Sequence, residues 1–418
     1  MNAPAQQHDV AYERKTLILL ALSFGLVGLD RWIIAPLFPF MMKDLNLSYQ
    51  ELGSLIGILG LAWGACSILM GRLSDHIGRK RILVGAMLTF SLLSSFSGVA
   101  GSFAGLLLIR AIMGLAEGAF TPTSVAAVAE ASWPSRRGFN QGVQLSMFSL
   151  MGLGFAPIIV TQLLRVVPSW HWIFALSAVP GVVIAALIAL LLREHSVDEL
   201  SQDLNVVAHG DKPRWINLFR SRNVVLAMLA ALCAMAGIFV ISAMVPNYLI
   251  DRLHLDPVHM GVVLSAIGFG GVSGAIGLSG ISDFIGRRTT SIAAFALAAI
   301  FLYVFTTVGT NPTALFVLLF IVSFFALGLL GLLTGPIATE AAPVGLVASA
   351  IGIVSGTGEI FGGGIAPAVA GFIAQHYGIQ FTLLFALGAL VCGAVVSFAL
   401  VETAPRRRRT PALVAEAP

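Results

Sequence analysis

The chain is poor in charge. Asp, Glu, Lys and Arg make up 11% of its 418 residues, against roughly 25% in soluble globular proteins, while 57% of the residues are hydrophobic. That balance excludes a water-soluble domain. Cysteine is also scarce: Cys66, Cys233 and Cys392 each lie in an apolar run, which argues against a disulfide framework or a thiolate metal set. No G-x-x-x-x-G-K-[ST] loop occurs, so ATP is not expected to drive this protein. No paired metal motif and no soluble catalytic domain stand out, so neither an enzyme nor a cofactor is expected, and no nucleic-acid partner. The apolar runs are continuous rather than alternating, which excludes a β-barrel. The polar stretch Met1–Lys15 leads into a full-length span, so no cleavable signal peptide is expected.

What is present is a series of membrane-length runs. Hydropathy predicts twelve spans, with limits at about 16–41, 50–71, 81–100, 103–129, 139–165, 170–192, 223–250, 258–280, 289–309, 312–338, 346–375 and 379–401. The longest polar segment between spans, 193–222, is read as a linker between six-span halves at 1–192 and 223–402, followed by a basic tail at 403–418. Basic residues fix the expected orientation. Nineteen of the 24 Lys and Arg fall before span one, between even and odd spans, in the linker, or in the run Arg406–Arg409. Only Lys43, Arg165 and Arg252 fall on the other side. The rich side is expected in the cytoplasm, with both termini inside, in a bacterial inner membrane. Arg406–Arg409 is read as a contact with anionic headgroups.

Four charges interrupt otherwise apolar spans: Asp30 and Arg31 in the first, Arg110 and Glu117 in the fourth. Each costs ~2.5–3.5 kcal/mol in hydrocarbon on insertion scales, so such residues face partners or a water-filled path. Arg110 and Glu117, seven apart, share a helix face about 10 Å from one another.

The two halves align at an offset of 208 residues. "GRLSDHIGRK" from Gly71 matches "GISDFIGRR" from Gly280, with Asp75 on Asp283; Gly53 falls on Gly261 and Gly60 on Gly268. Parallel six-span repeats imply a two-fold pseudo-axis along the membrane normal and a binding site near midplane between the halves. The same alignment places Ile238 and Phe239 opposite Asp30 and Arg31, and no charge occurs from Thr313 to Thr339 in span ten. One half therefore folds without these charges, which points to function rather than scaffold. The bland reading is a buried ion cluster that fixes packing.

"GRLSDHIGRK", its second copy and the twelve spans together resemble the major facilitator superfamily over the whole chain. The resemblance implies an all-α membrane protein, twelve helices in two pseudo-symmetric halves, and a gating role for Asp75, Gly78, Arg79, Asp283 and Arg287. "DR" in span one, "RxxxxxxE" in span four and "GEIFGGGIAPAVAGFIAQHYG" in span eleven resemble the anion:cation symporter group. That resemblance implies a proton-coupled symporter of a small organic anion, and the modest aromatic content near the site leans the expectation toward a sugar acid or other small carboxylate. Spinster-type lysolipid or sphingolipid carriers resemble the same charged positions and are the alternative. A non-transporting membrane sensor is a third reading, weakened by the short tails and linker.

Arginine suits a carboxylate because its fork makes two parallel hydrogen bonds and stays charged. Arg31 is expected to clamp the anion and Arg110 to assist. Asp30 and Glu117 are expected to carry protons and to hold the arginines in the empty carrier. Glu359, midway along span eleven, is assigned to a substrate hydroxyl or a second proton, or else to backbone among its glycines. Trp63 is expected to stack on the substrate, or otherwise to pack. Gln144, Asn247 and Tyr248 are weaker candidates. Glu130 and Glu340 are read as gate or interface residues, and His171 as an outer-surface anchor. The partners expected are the anion, protons and the lipid bilayer, with the protein working as a monomer.

Overall fold

The computed structural model describes residues 9–133, 136–193, 216–343 and 346–404, without the side chains of 71–77, 137–138 and 347–348. The side chain of Asp75, most of the linker and the run Arg406–Arg409 lie outside that description. Among the described residues the regular structure is all helical. Twelve long helices follow one another. We label them α1 (Val10–Leu45), α2 (Tyr49–Ile77), α3 (Arg79–Ser97), α4 (Phe103–Ala131), α5 (Phe139–Leu163) and α6 (Trp170–Leu191) in the first half. The second half holds α7 (Arg222–Arg252), α8 (Pro257–Ile285), α9 (Arg287–Thr307), α10 (Pro312–Ala341), α11 (Ser349–Tyr377) and α12 (Gln380–Phe398).

Eleven of these are long and apolar enough to cross a bilayer, and the chain is an integral, multi-pass membrane protein. The twelfth, α3, is less apolar because it begins Arg79-Lys80-Arg81 and carries four serines. Three of them, Ser91, Ser94 and Ser97, are fully buried, so its polarity faces protein rather than lipid.

Each half starts and ends on one face. Arg193 donates its backbone N–H to the Tyr12 hydroxyl (3.1 Å) and pairs with Asp9 (2.8 Å), tying the end of α6 to the start of α1. Asn223 exchanges two hydrogen bonds with Val401 (2.8 and 2.9 Å), tying the start of α7 to the chain just after α12. This arginine-rich face is opposed by a face carrying the connections α1–α2 and α7–α8.

The signature segments are tighter than loops. Helix α2 runs on to Ile77, and a single glycine, Gly78, turns the chain directly into α3. Gly78 has φ 97° and its repeat mate Gly286 has φ 106°, values that a side chain would strain. On the opposite face, Ser48 and Glu51 form a capping box at the start of α2, and Asp256 accepts from the Val258 and His259 N–H groups at the start of α8.

The halves meet along two matching seams. In one, Gly53, Gly57 and Gly60 of α2 lie against the backbone of Pro367, Gly364 and Gly363 in α11. In the other, Gly261 and Gly268 of α8 lie against Pro157, Thr161 and Gly154 in α5. At each seam the α5 or α11 backbone widens into π-helical turns, at Ser149–Phe155 and Gly358–Ile365, a distortion that often marks functional positions. These segments reveal a second register of the repeat: "GLGFAP" from Gly152 matches "GGGIAP" from Gly362 at an offset of 210. The change from 208 reflects α9, which is 21 residues against 19 for α3. In this register Arg110 and Glu117 fall on Phe320 and Leu327.

Candidate functional site

Midway along α1 the chain places Asp30 and Arg31 where α1, α2, α4, α5, α7 and α11 approach one another. Asp30 is fully buried, and Arg110 and Arg31 nearly so, at 1% and 3% exposure; Glu117 is fully buried. Arg31 Nη2 donates to Glu359 Oε2 across the two halves (2.9 Å). Glu359 stays partly open, with 17% of its side chain exposed against 2% for Arg31. It occupies the π-helical stretch of α11, where the widened turn and neighbouring glycines let the carboxylate reach α1.

Glu359 uses one nitrogen of the arginine fork. Among the described residues, Arg31 Nε and Nη1 have no hydrogen-bond partner. Four rings surround the guanidinium: Trp63 at 4.6 Å, Phe239 at 5.0 Å, Trp32 at 5.8 Å and Phe148 at 5.9 Å from its carbon to the ring centres. Such contacts stabilise a cation electrostatically by ~0.5–2 kcal/mol each, depending on exposure.

The other charges are not paired as the sequence suggested. Asp30 accepts from the Ser94 hydroxyl (2.9 Å), which itself meets Ser177 (2.8 Å). Arg110 Nη1 donates to the backbone carbonyls of Asp30 and Arg31 (3.2 Å each). Both oxygens of Glu117 are buried without a hydrogen-bond partner among the described residues, as are Arg110 Nε and Nη2. Asp30 and Glu117 thus do not hold the two arginines by hydrogen bonds. Glu359 holds Arg31 and the partly freed carbonyls of α1 hold Arg110, while the serines of α3 and α6 hold Asp30, partners that no hydropathy plot distinguishes. The carbonyls of α1 are available because it breaks at Ile33, between helices Val10–Trp32 and Ile34–Leu45.

Three members of this region carry weak or no sequence signal. Gln144 is fully buried with neither amide atom partnered, one turn from Phe148 on the same face of α5. Phe148 and Phe239 read as ordinary apolar residues. Phe239 is the repeat mate of Arg31, so the pseudo-axis brings the mate's ring onto the guanidinium.

The expected gate residues sit on the arginine-rich face. Arg79 pairs with Glu130 at the end of α4. Arg287 pairs with Glu340 (3.0 Å) at the end of α10 and with Asp283 (2.7 Å). On the opposite face, Tyr49 donates to Asp251 (2.9 Å), which also accepts from Asn247 (3.0 Å); Tyr49 N–H donates to Gln375 (3.1 Å). The two Tyr49 bonds join the two halves. His171 stacks on Trp170 with ring centres 3.7 Å apart, and Trp170 donates to Asp44 (3.0 Å). Tyr248 is buried beside Phe305.

Twelve helices in two repeated halves, with buried charge where they meet, define a membrane carrier. The chain belongs to the Major Facilitator Superfamily, whose family model matches residues 20–356 and 227–417. It is 28% identical to a probable 4-methylmuconolactone transporter of Cupriavidus pinatubonensis, over 82% of this chain and 80% of that protein. It is 25% identical to the hexuronate transporter of Bacillus subtilis, over 92% of this chain and 94% of that one. In fold it is similar to a bacterial homologue of the human lysosomal transporter Spinster (TM-score 0.75, 16% identity), covering 93% of this chain and 97% of the other. The chain is thus a transporter and not an enzyme.

Proposed function

We propose that this transporter carries a small organic anion together with protons by alternating access. The observation that carries this reading is the Arg31–Glu359 pair, an arginine fork held by one nitrogen at the junction of the halves. A substrate carboxylate enters at the open nitrogens, displaces Glu359 and takes the bidentate geometry that arginine favours. The relatives named for a muconolactone and a hexuronate support an organic acid as cargo.

Charge counting supports the coupling. Arg31 and Arg110 oppose Asp30, Glu117 and Glu359, so the fully ionised site carries one excess negative charge. A carboxylate adds another in a buried setting, where uncompensated charge is costly. Proton uptake by Glu117 or Asp30 offsets it. Coupling follows if the empty ionised form and the loaded protonated form cross readily while mixed forms do not.

The remaining assignments extend this scheme. Asp75, Gly78, Arg79, Asp283 and Arg287 act as gating residues on the arginine-rich face, which we place in the cytoplasm with both termini. The membrane is a bacterial inner membrane, and the site lies within one chain, so a monomer suffices. The alternative, a Spinster-type lysolipid carrier, has the similarity of fold as its support.

Glu117→Gln in proteoliposomes tests the proton assignment. Exchange of labelled substrate across the membrane should persist within a few-fold, whereas accumulation driven by a pH gradient should fall by at least tenfold. Intact accumulation removes Glu117 from the coupling role.

A further inference from the structure

The rings around Arg31 carry information about the body of the cargo as well as its charge. We infer that the site selects a flat, conjugated or ring-bearing carboxylate over a polyhydroxylated sugar acid, an inference that rests on the organic-anion reading above. A carboxylate bound in the arginine fork lies in the plane of the guanidinium. In a conjugated acid the carboxylate is also coplanar with the atoms attached to it. The substrate body therefore continues the plane of the fork, and the rings that flank Arg31 flank the substrate too. Trp63 and Phe239, at 4.6 and 5.0 Å from the guanidinium carbon, are the closest. Trp63 is itself braced edge-on against Phe148 (5.9 Å) and Phe239 against Trp32 (5.4 Å), so these faces are held rather than free to fold away.

The neutral hydrogen-bonding capacity around the site is small. A sugar acid brings several hydroxyls, and each one buried without a partner is costly. Near the rings, the uncharged groups that are buried and unpartnered among the described residues are the Gln144 amide and the Trp32 indole N–H. The hydroxyls on neighbouring turns donate into their own helices: Ser23 to Leu19, Ser242 to Ile238 and Thr121 to Glu117. One amide and one indole N–H can orient the one or two carbonyls or hydroxyls of a flat acid. Together they fall short of the girdle of hydroxyls on a hexuronate, each of which can both donate and accept.

Calorimetric titration of the purified full chain in detergent tests this, with benzoate and cis,cis-muconate as flat probes, D-glucuronate and D-galactonate as hydroxylated ones, and lysophosphatidylcholine as the lipid probe. The flat acids should bind at least tenfold more tightly than the sugar acids. Trp63→Leu, which keeps an apolar side chain but removes the ring, should shrink that preference to threefold or less. Trp63→Phe should keep most of it, which guards against a variant that merely folds poorly. Sugar acids binding as tightly as flat ones, or Trp63→Leu weakening both classes equally, overturns the selectivity and leaves the anion reading standing. Binding of the lysolipid with none of the acids, or of no probe at all, overturns both.

Discussion

Glu402 shows what one side chain settles just outside the membrane. Its carboxylate accepts from the N–H groups of Arg287 (2.7 Å), Ala404 (3.0 Å), Thr403 (3.1 Å) and Arg288 (3.2 Å), closing the start of α9 onto the chain after α12. Burial pushes this carboxyl upward, but the four donors together outweigh it and hold the group below its ordinary 4.5. A lowered folded-state value stabilises the fold above the unfolded value and loses that stabilisation as pH falls through the folded one. Glu402→Gln should therefore cost ~1 kcal/mol near pH 7, as loss of a helix cap does. The difference in thermal unfolding from the parent should shrink below about pH 4.5. A gap that stays constant from pH 7 to pH 4 removes the charge from the explanation. Near the membrane centre, the sequence made the charges legible, because Asp30, Arg31, Arg110 and Glu117 stand out against hydrocarbon. Their partners were not legible: Glu359 lies 328 residues from Arg31, and the Ser94 hydroxyl and the carbonyls of α1 look unremarkable in a linear pattern.

Helix positions were legible to within about six residues at the ends, as in 16–41 against Val10–Leu45 and 50–71 against Tyr49–Ile77, since apolar length and glycine or polar breaks decide them. Less so were the π-helical turns in α5 and α11 and the continuation of α2 to Gly78, both of which depend on what packs alongside. The "GLGFAP" and "GGGIAP" match was present in the sequence but masked by the two-residue shift in register. The face carrying Tyr49, Asp251 and Asn247 is a further case. Its charged hydrogen bond joins α2 to α7, and a bond of that kind contributes ~1.5–3 kcal/mol. Tyr49→Phe should loosen this face. In a background free of Cys66, Cys233 and Cys392, a cysteine at Ala35, itself 2% exposed below that latch, should react about tenfold faster with an impermeant maleimide. An unchanged rate means that the glycine seams alone hold the face shut.

For the whole molecule, the repeat made the pairing of halves legible before any coordinate, through Asp75 on Asp283 and Gly53 on Gly261. The contact seams follow the same symmetry, each half presenting one glycine-lined helix and one π-distorted helix to the other. Two surfaces that fit by shape and backbone approach do not require the linker to find each other. Fragments 1–202 and 203–418, co-expressed, should therefore associate and restore substrate exchange to within about tenfold of the intact chain, a factor worth ~1.4 kcal/mol. Each fragment alone should show none. Failure of the pair to co-purify from membranes means that the linker contributes to assembly.

In the transport cycle proposed above, the Arg31–Glu359 pair would have a kinetic consequence. An Arg31 left unpaired at mid-membrane would burden the unloaded carrier with an unsatisfied buried guanidinium, which is costly to carry through a change of orientation. Glu359 gives that arginine a resident counter-ion, a tethered stand-in for cargo that never leaves. The unloaded protein can then reset its orientation with Arg31 already neutralised, so turnover does not depend on a substrate waiting on the far side.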